Sequence, residues 1–257
     1  MQIFHDPNNP DTVFYGVAWS SDGRYLACGS DVGGVQVWDV VARHQLWGGR
    51  KQPMWIEDVA WSPDDTCVAS TGDDGCVYLW NSLDSTLLQR WPGHHDVGHG
   101  VAWSPDGSKL ASCGGVEGSG ELFVWDVQGE RRMQTFAEHP GIVYTVVWSL
   151  AGDLLISGCS DGKLRWWEAE SGDCVRTLEA HQGTLQSVRR SPDGRWLASC
   201  GDDGVIKIWD LHSGAYLRTL RHDRPYERLN ITGIRGLTEA QKATLRALGA
   251  IEYGVST

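Results

Sequence analysis

One phrase recurs along this chain, and the distance between its copies fixes most of what the chain can fold into. It reads SSDGRYLACGSDVGGVQVWD at residues 20–39, SPDDTCVASTGDDGCVYLWN at 62–81, SPDGSKLASCGG at 104–115 and SPDGRWLASCGDDGVIKIWD at 191–210. Aligned on the tryptophan of the run VAWS, the units fall at Trp19, Trp61, Trp103 and Trp148, with Arg190 in the fifth, at spacings of 42, 42, 45 and 42 residues. At that period each unit is one supersecondary element that must stack on its neighbours to bury its apolar faces.

Each unit spells four short strands. An alternating run such as VAWS is followed by Ser-Pro-Asp-Gly, in which proline presets the second turn position and glycine relieves the last. A short apolar run (RWLAS) leads to an Asp-Gly hairpin, and a β-branched alternating run (VIKIW) follows. A polar turn (DLHSG) then opens a fourth run, YLRTL. Such sheets are apolar on both faces, and radial stacking buries both while leaving short edges, so the sequence predicts an all-β fold, a β-propeller of about five four-stranded blades. The 32 glycines follow from many tight turns, and nine of the 14 tryptophans from two periodic positions, Trp19, Trp61, Trp103 and Trp148 in one and Trp38, Trp80, Trp125, Trp167 and Trp209 in the other.

The formal net charge of -11 argues against nucleic acid as a partner, because phosphate-backbone binding rests on clustered cations. No run approaches a membrane span, and MQIFHDPNNP has no basic or apolar signal region, so a cytoplasmic location is expected. Seven cysteines without CxxC spacing read as reduced thiols. Cys113, Cys159 and Cys200 are expected at one position of successive units.

The His…Ser-Pro-Asp-Gly…Leu-Ala-Ser…Asp-Gly…Trp-Asp arrangement resembles the WD-repeat family over residues 12–221. Trp-Asp stands at 38–39, 125–126 and 209–210, and becomes Trp80-Asn81 and Trp167-Glu168 elsewhere. The resemblance implies a structural tetrad in each blade, linking a histidine before the first strand, a serine on the second, the hairpin aspartate and the third-strand tryptophan. It carries over fully to His139, Ser157, Asp161 and Trp167, and to His181, Ser199, Asp203 and Trp209. It carries over in part to His94, Ser112 and Trp125, where the insertion GGVEGSGE displaces the aspartate turn. It is also partial for Ser70, Asp74 and Trp80, with Gln52 in the histidine place. Unit one has Pro10 there and an off-register Asp31. Units one and two are therefore expected to be the softer end, since half-satisfied buried networks are costly.

MQIF at 1–4 matches the outer strand MQTF at 133–136, which gives six outer strands for five units. Either the five units end a longer array, or they form a five-bladed ring with one competing edge. An unpaired edge invites self-association. The expected organisation is a surplus strand and its loop at 1–11, five blades at 12–221, and a tail at 222–257 with a helix near 239–248, capped by Thr238 with Gln241 and stopped by Gly249. The stretch RPYERLNITGIRGLTEAQKATLRALGA also resembles the tail following WD repeats in bacterial signalling ATPases of the STAND class. There the propeller senses a trigger, which implies a sensor role. No G-x-x-x-x-G-K-[ST] phosphate cradle occurs in this sequence.

No catalytic set, metal or cofactor is expected. Asp22, Asp64, Asp106, Asp193, Asp74 and Asp203 are each accounted for by turns. The candidate metal run HHDVGH spends His94 on the tetrad position and leaves His95 and His99 without a third ligand. The resemblance places a partner-binding face at Val13 and Tyr15, Trp55 and Glu57, Val97 and His99, Ile142 and Tyr144, Thr184 and Gln186, with Asp73, Ser160 and Asp202 completing the ring. The expected function is a non-catalytic scaffold or sensor for a protein or peptide partner, in a bacterial signalling system. The competing readings are an enzyme working in a pore lined with carboxylates or histidines, and a truncated remnant of a longer WD-repeat protein.

Overall fold

The computed structural model describes residues 11–32, 34–50, 52, 54–221, 229–234 and 236–252, so Pro10 and the MQIF run lie outside it. Each repeat turn is built the same way. Ser20, Ser62, Ser104 and Ser191 donate their hydroxyls to the aspartate two residues on, at 2.6, 2.7, 2.6 and 2.5 Å. The same hydroxyls accept the N–H of Tyr25, Cys67, Lys109 and Trp196, five residues on. Unit four builds this turn from Ser149 and Asp153. The last turn position is left-handed, with Gly107 at φ 71° but Asp65 at φ 58° in unit two. Aspartate tolerates that backbone better than most residues, and here its carboxylate crosses to the preceding blade, accepting the N–H and hydroxyl of Ser21 at 2.7 and 2.6 Å.

These turns divide the chain into five sheets of four antiparallel strands, each in sequence order. Blade 1 holds β1 (Phe14–Trp19), β2 (Tyr25–Ser30), β3 (Gly34–Asp39) and β4 (His44–Arg50). Blade 2 holds β5 (Ile56–Trp61), β6 (Cys67–Gly72), β7 (Cys76–Asn81) and β8 (Leu87–Pro92). Blade 3 holds β9 (Gly98–Trp103), β10 (Lys109–Val116), β11 (Ser119–Asp126) and β12 (Arg131–His139). Blade 4 holds β13 (Val143–Trp148), β14 (Leu154–Cys159), β15 (Lys163–Glu168) and β16 (Cys174–Glu179). Blade 5 holds β17 (Leu185–Arg190), β18 (Trp196–Gly201), β19 (Ile206–Asp210) and β20 (Tyr216–Leu220). Every blade thus takes its outer strand from the run that follows its own third strand.

The core is four seams between successive blades, each an apolar cluster. Ala27 and Val37 face Val59, Trp61 and Trp80, and Ala69 and Leu79 face Val101 and Trp125, with Trp103 packed alongside. Ala111 and Val124 face Val146, Trp148 and Trp167, and Ile156 and Trp166 face Val188, Leu197 and Trp209. At the first three seams the repeat tryptophan also donates its indole N–H to the preceding blade: Trp61 to the Ala18 carbonyl at 3.1 Å, Trp103 to Ala60 at 3.2 Å and Trp148 to Ala102 at 3.0 Å. At the fourth seam Arg190 replaces that tryptophan, and Trp166 reaches forward to the Leu211 carbonyl at 2.8 Å.

One cysteine departs from the expected register. Cys113 and Cys200 directly follow the second-strand serines Ser112 and Ser199, but Gly158 follows Ser157, so Cys159 lies one residue farther and pairs with Val143. Residues 219–257 form a separate unit. In it α1 (Glu239–Ala247) starts at Thr238, whose hydroxyl accepts from Gln241 N–H while the Gln241 side chain accepts from Thr238 N–H. Glu252 accepts from Lys242 and Arg246, and Ile251 bonds Ile231 and Leu229 through the backbone. Among the described residues no helix is long and apolar enough to cross a membrane.

Candidate functional site at the channel mouth

The tetrad positions brace blades 2 to 5. In blade 5 His181 bonds Ser199 Oγ through Nε2 (2.7 Å) and Asp203 Oδ1 through Nδ1 (2.8 Å), while Trp209 donates to Ser199 Oγ at 2.9 Å. Blade 4 departs from the expectation. His139 Nε2 and the Trp167 indole both meet Ser157 Oγ at 2.9 Å, but His139 Nδ1 is buried without a partner among the described residues. Asp161 is taken instead by the guanidinium of Arg165, through two bonds of 3.1 and 2.6 Å. A bidentate arginine outcompetes a neutral imidazole for a carboxylate. Burial, reinforced by the Arg165 charge, pushes the His139 imidazole down to about 3.

Blade 3 is complete by another route. His94 Nε2 and Trp125 meet Ser112 Oγ at 2.9 Å, and Glu121 supplies the carboxylate, 3.1 Å from His94 Nδ1. The insertion lengthens β10 and β11 to eight residues each, and this carries Glu121 into the aspartate's place. His95 also bonds Glu121, through its ring and its backbone N–H. In blade 2 Gln52 stands in for histidine and accepts from Ser70 Oγ at 2.7 Å, while Trp80 donates to Ser70 and Asp74 accepts from Tyr78. Among the described residues no tetrad group of unit two is unsatisfied, whereas His139 Nδ1 of blade 4 is; outside the tetrads, the Trp91 indole of blade 2 is also buried without a partner. In blade 1 Cys28 occupies the serine place, its thiol pushed up to about 12 by burial, and Asp31 accepts the N–H of Val13.

Two backbone features organise the end of the blades where the first strands begin. The carbonyls of Val13, Trp55, Val97, Ile142 and Thr184 each accept an N–H from the end of the second strand or the residue just past it, from Asp31, Asp73, Gly115, Ser160 and Asp202 respectively. Two residues on, every first strand carries a bulge. Ile56 pairs Gly72 and Asp58 pairs Thr71, leaving Glu57 unpaired, and the same slip leaves His99, Tyr144 and Gln186 unpaired in their blades. In blade 1 the slip falls between Phe14 and Val17, at Tyr15-Gly16. A bulge re-aims a side chain, and these five line one cavity of about 210 Å³ where the first strands meet, together with Asp58, Thr145 and Arg189.

The mouth is aromatic and acidic. Tyr15 stacks on Trp55 at 5.7 Å and His99 leans on Tyr144 at 4.8 Å. Gln186 donates to Asp202, and Ser160 to Glu117 on the inserted hairpin. Burial and the neighbouring Asp73 and Asp58 raise the Glu57 carboxyl, and burial lowers the His99 imidazole. Asp58 is pushed up to about 6 by burial, though its carboxylate accepts the Val101 N–H at 3.1 Å. His94, His95 and His99 do not gather: the first two serve Glu121, the third faces the channel, and no group suited to a metal ion occurs among the described residues.

The bulges were not legible in the sequence, because a bulge belongs to a strand pair. A signal for the site was present nevertheless. Across the units the third-strand position stays Trp (38, 80, 125, 167, 209), while the bulge position varies as Tyr, Glu, His, Tyr and Gln.

Five four-stranded blades, four of them braced in this way, define a WD-type β-propeller. The profile of the WD domain, G-beta repeat (WD40) matches residues 3–39, 46–81, 85–126, 130–168 and 172–210, and the chain belongs to that family. WD repeats are generally protein-interaction scaffolds. The chain is also similar, at 58% identity over 33 residues, to an uncharacterised WD repeat-containing protein of Nostoc sp. (strain PCC 7120 / SAG 25.82 / UTEX 2576). That match covers 13% of this chain and 2% of the relative's length.

Proposed function

We propose that this protein is a non-catalytic interaction module that seats a protein or peptide segment at the channel mouth. The observation that carries the reading is the set of five bulged residues, Tyr15, Glu57, His99, Tyr144 and Gln186, delivered to one cavity by five rigid blades. Packing holds the strands, so a partner would bind at little ordering cost. Stacked aromatics beside Glu57, Asp58 and Asp73 suit a segment that presents a cation, which an aromatic face and a carboxylate both attract. The tail resemblance supports a place as the sensing part of a larger signalling system, and the similar stretch in a Nostoc protein supports a bacterial setting.

The test is selection from a displayed peptide library, followed by titration of the selected peptides. Tyr144→Ala and Glu57→Gln are expected to weaken binding about tenfold or more, and selected peptides are expected to carry Lys or Arg. Binders indifferent to every ring substitution would contradict the reading. One observation favours a second reading, pore catalysis: Asp58 titrates near 6 beside His99 and Glu57 in a channel. Hydrolysis of a chromogenic substrate panel, lost in Asp58→Asn, would establish it; the bond from Val101 N–H to Asp58 supports the structural role instead.

A further inference from the structure

Five blades in sequence make four packed seams, and among the described residues the two faces left over have no blade packed on them. On blade 1, Val17 is 61% exposed, whereas its equivalents Val59, Val101, Val146 and Val188 are 3, 6, 4 and 0% exposed. Trp19, the equivalent of the seam-bridging Trp61, Trp103 and Trp148, is 55% exposed, and among the described residues its indole meets no acceptor. On blade 5, Ala198 and Ile208 stand where Ala27 with Val37, Ala69 with Leu79, and Ala111 with Val124 cover the next blade. Here they line, with Trp196, Leu217 and Arg189, an open cleft of about 620 Å³.

The sizes on the two faces match. Where a blade offers alanine and a mid-sized aliphatic residue at these two positions, the next blade brings a first-strand tryptophan, as at the first three seams. Where it offers the bulky pair Ile156 and Trp166, the next blade has Arg190 instead. Blade 5, with Ala198 and Ile208, is therefore of the kind that receives a tryptophan, and blade 1 presents Trp19. A second feature repeats this match. The side chains of Asp58 and Thr145 accept the N–H of Val101 and Val188 on the following blade, at 3.1 and 3.2 Å. Ser187 holds the corresponding hydroxyl on blade 5, and Val17 the corresponding N–H on blade 1.

We propose that the blade 5 face of one copy of this chain docks on the blade 1 face of a second copy, a head-to-tail seam with Trp19 as its anchor. The contact is face to face, unlike strand addition at an edge; its anchor Trp19 and the Ala198 and Ile208 cleft lie outside the channel lining, while Val17, Ser187 and Arg189 border both. It is heterologous, so each copy offers two different patches.

That asymmetry supplies the test. Trp19→Glu disables one face and Ile208→Glu the other, at exposed or half-exposed positions, with circular dichroism and melting checking that each variant folds. By light scattering over a concentration series, the unaltered chain is expected to exceed the mass of one chain. Each variant alone is expected to need at least about tenfold more protein to associate. A one-to-one mixture of the two variants is expected to recover complexes of two chains, because one intact face of each kind remains. A single-chain mass at every concentration would overturn the proposal; that outcome fits a ring closed on itself or faces reserved for another protein. Variants that associate like the parent, or a mixture that stays at the mass of one chain, would overturn it equally.

Discussion

His139 and Asp161 occupy the positions that close the tetrad in blade 5, yet blade 4 leaves His139 Nδ1 unpaired because Arg165 reaches back four residues to the carboxylate. A buried imidazole held near 3 takes up no proton until strong acid, whereas the unfolded chain takes one up near 6.5. The stability this group contributes is therefore present above about 6.5 and is lost as pH falls from there towards 3. Arg165→Met should free Asp161 to accept from His139 Nδ1, raise the imidazole's titration point and shrink that loss. Titration of His139 by NMR checks it; an unmoved titration point would mean that Asp161 does not turn to His139 once released. The histidine, serine and tryptophan of the tetrad were legible because each has a fixed place in the repeat. The acid was not, since side-chain reach decides it: Arg165 captures one carboxylate, and a lengthened hairpin brings Glu121 in for another.

Strands and blades were the most legible level, because period, turn and alternation agree on the same elements. What periodicity could not show is which face of each blade meets which. In the fold the repeat tryptophan of one blade packs on the alanine face of the blade before it, so chemically equivalent residues have unequal worth. Trp61→Ala opens the first seam and removes its indole bond, and should cost about 3–5 kcal/mol. Trp19→Ala, in the single-chain form, should change stability by no more than about 0.5 kcal/mol. Denaturant unfolding of the two variants at low protein concentration reads the difference; equal losses would mean that Trp19 is packed in solution.

At the scale of the whole array, the blades form a line of neighbours, in which stability is a sum of blade terms and seam terms. Blades 2, 3 and 4 each have two seams, while blades 1 and 5 have one. The uncovered faces belong to the ends of that line, while the bulged ring is drawn from all five of its members. Backbone hydrogen exchange, read strand by strand at a concentration where the mass is that of one chain, measures this most directly. Protection should be greatest in β10 of blade 3 and least in blades 1 and 5, which open before the rest. Equal protection in all five blades would contradict the account, because it would mean that the first and last blades share a fifth seam.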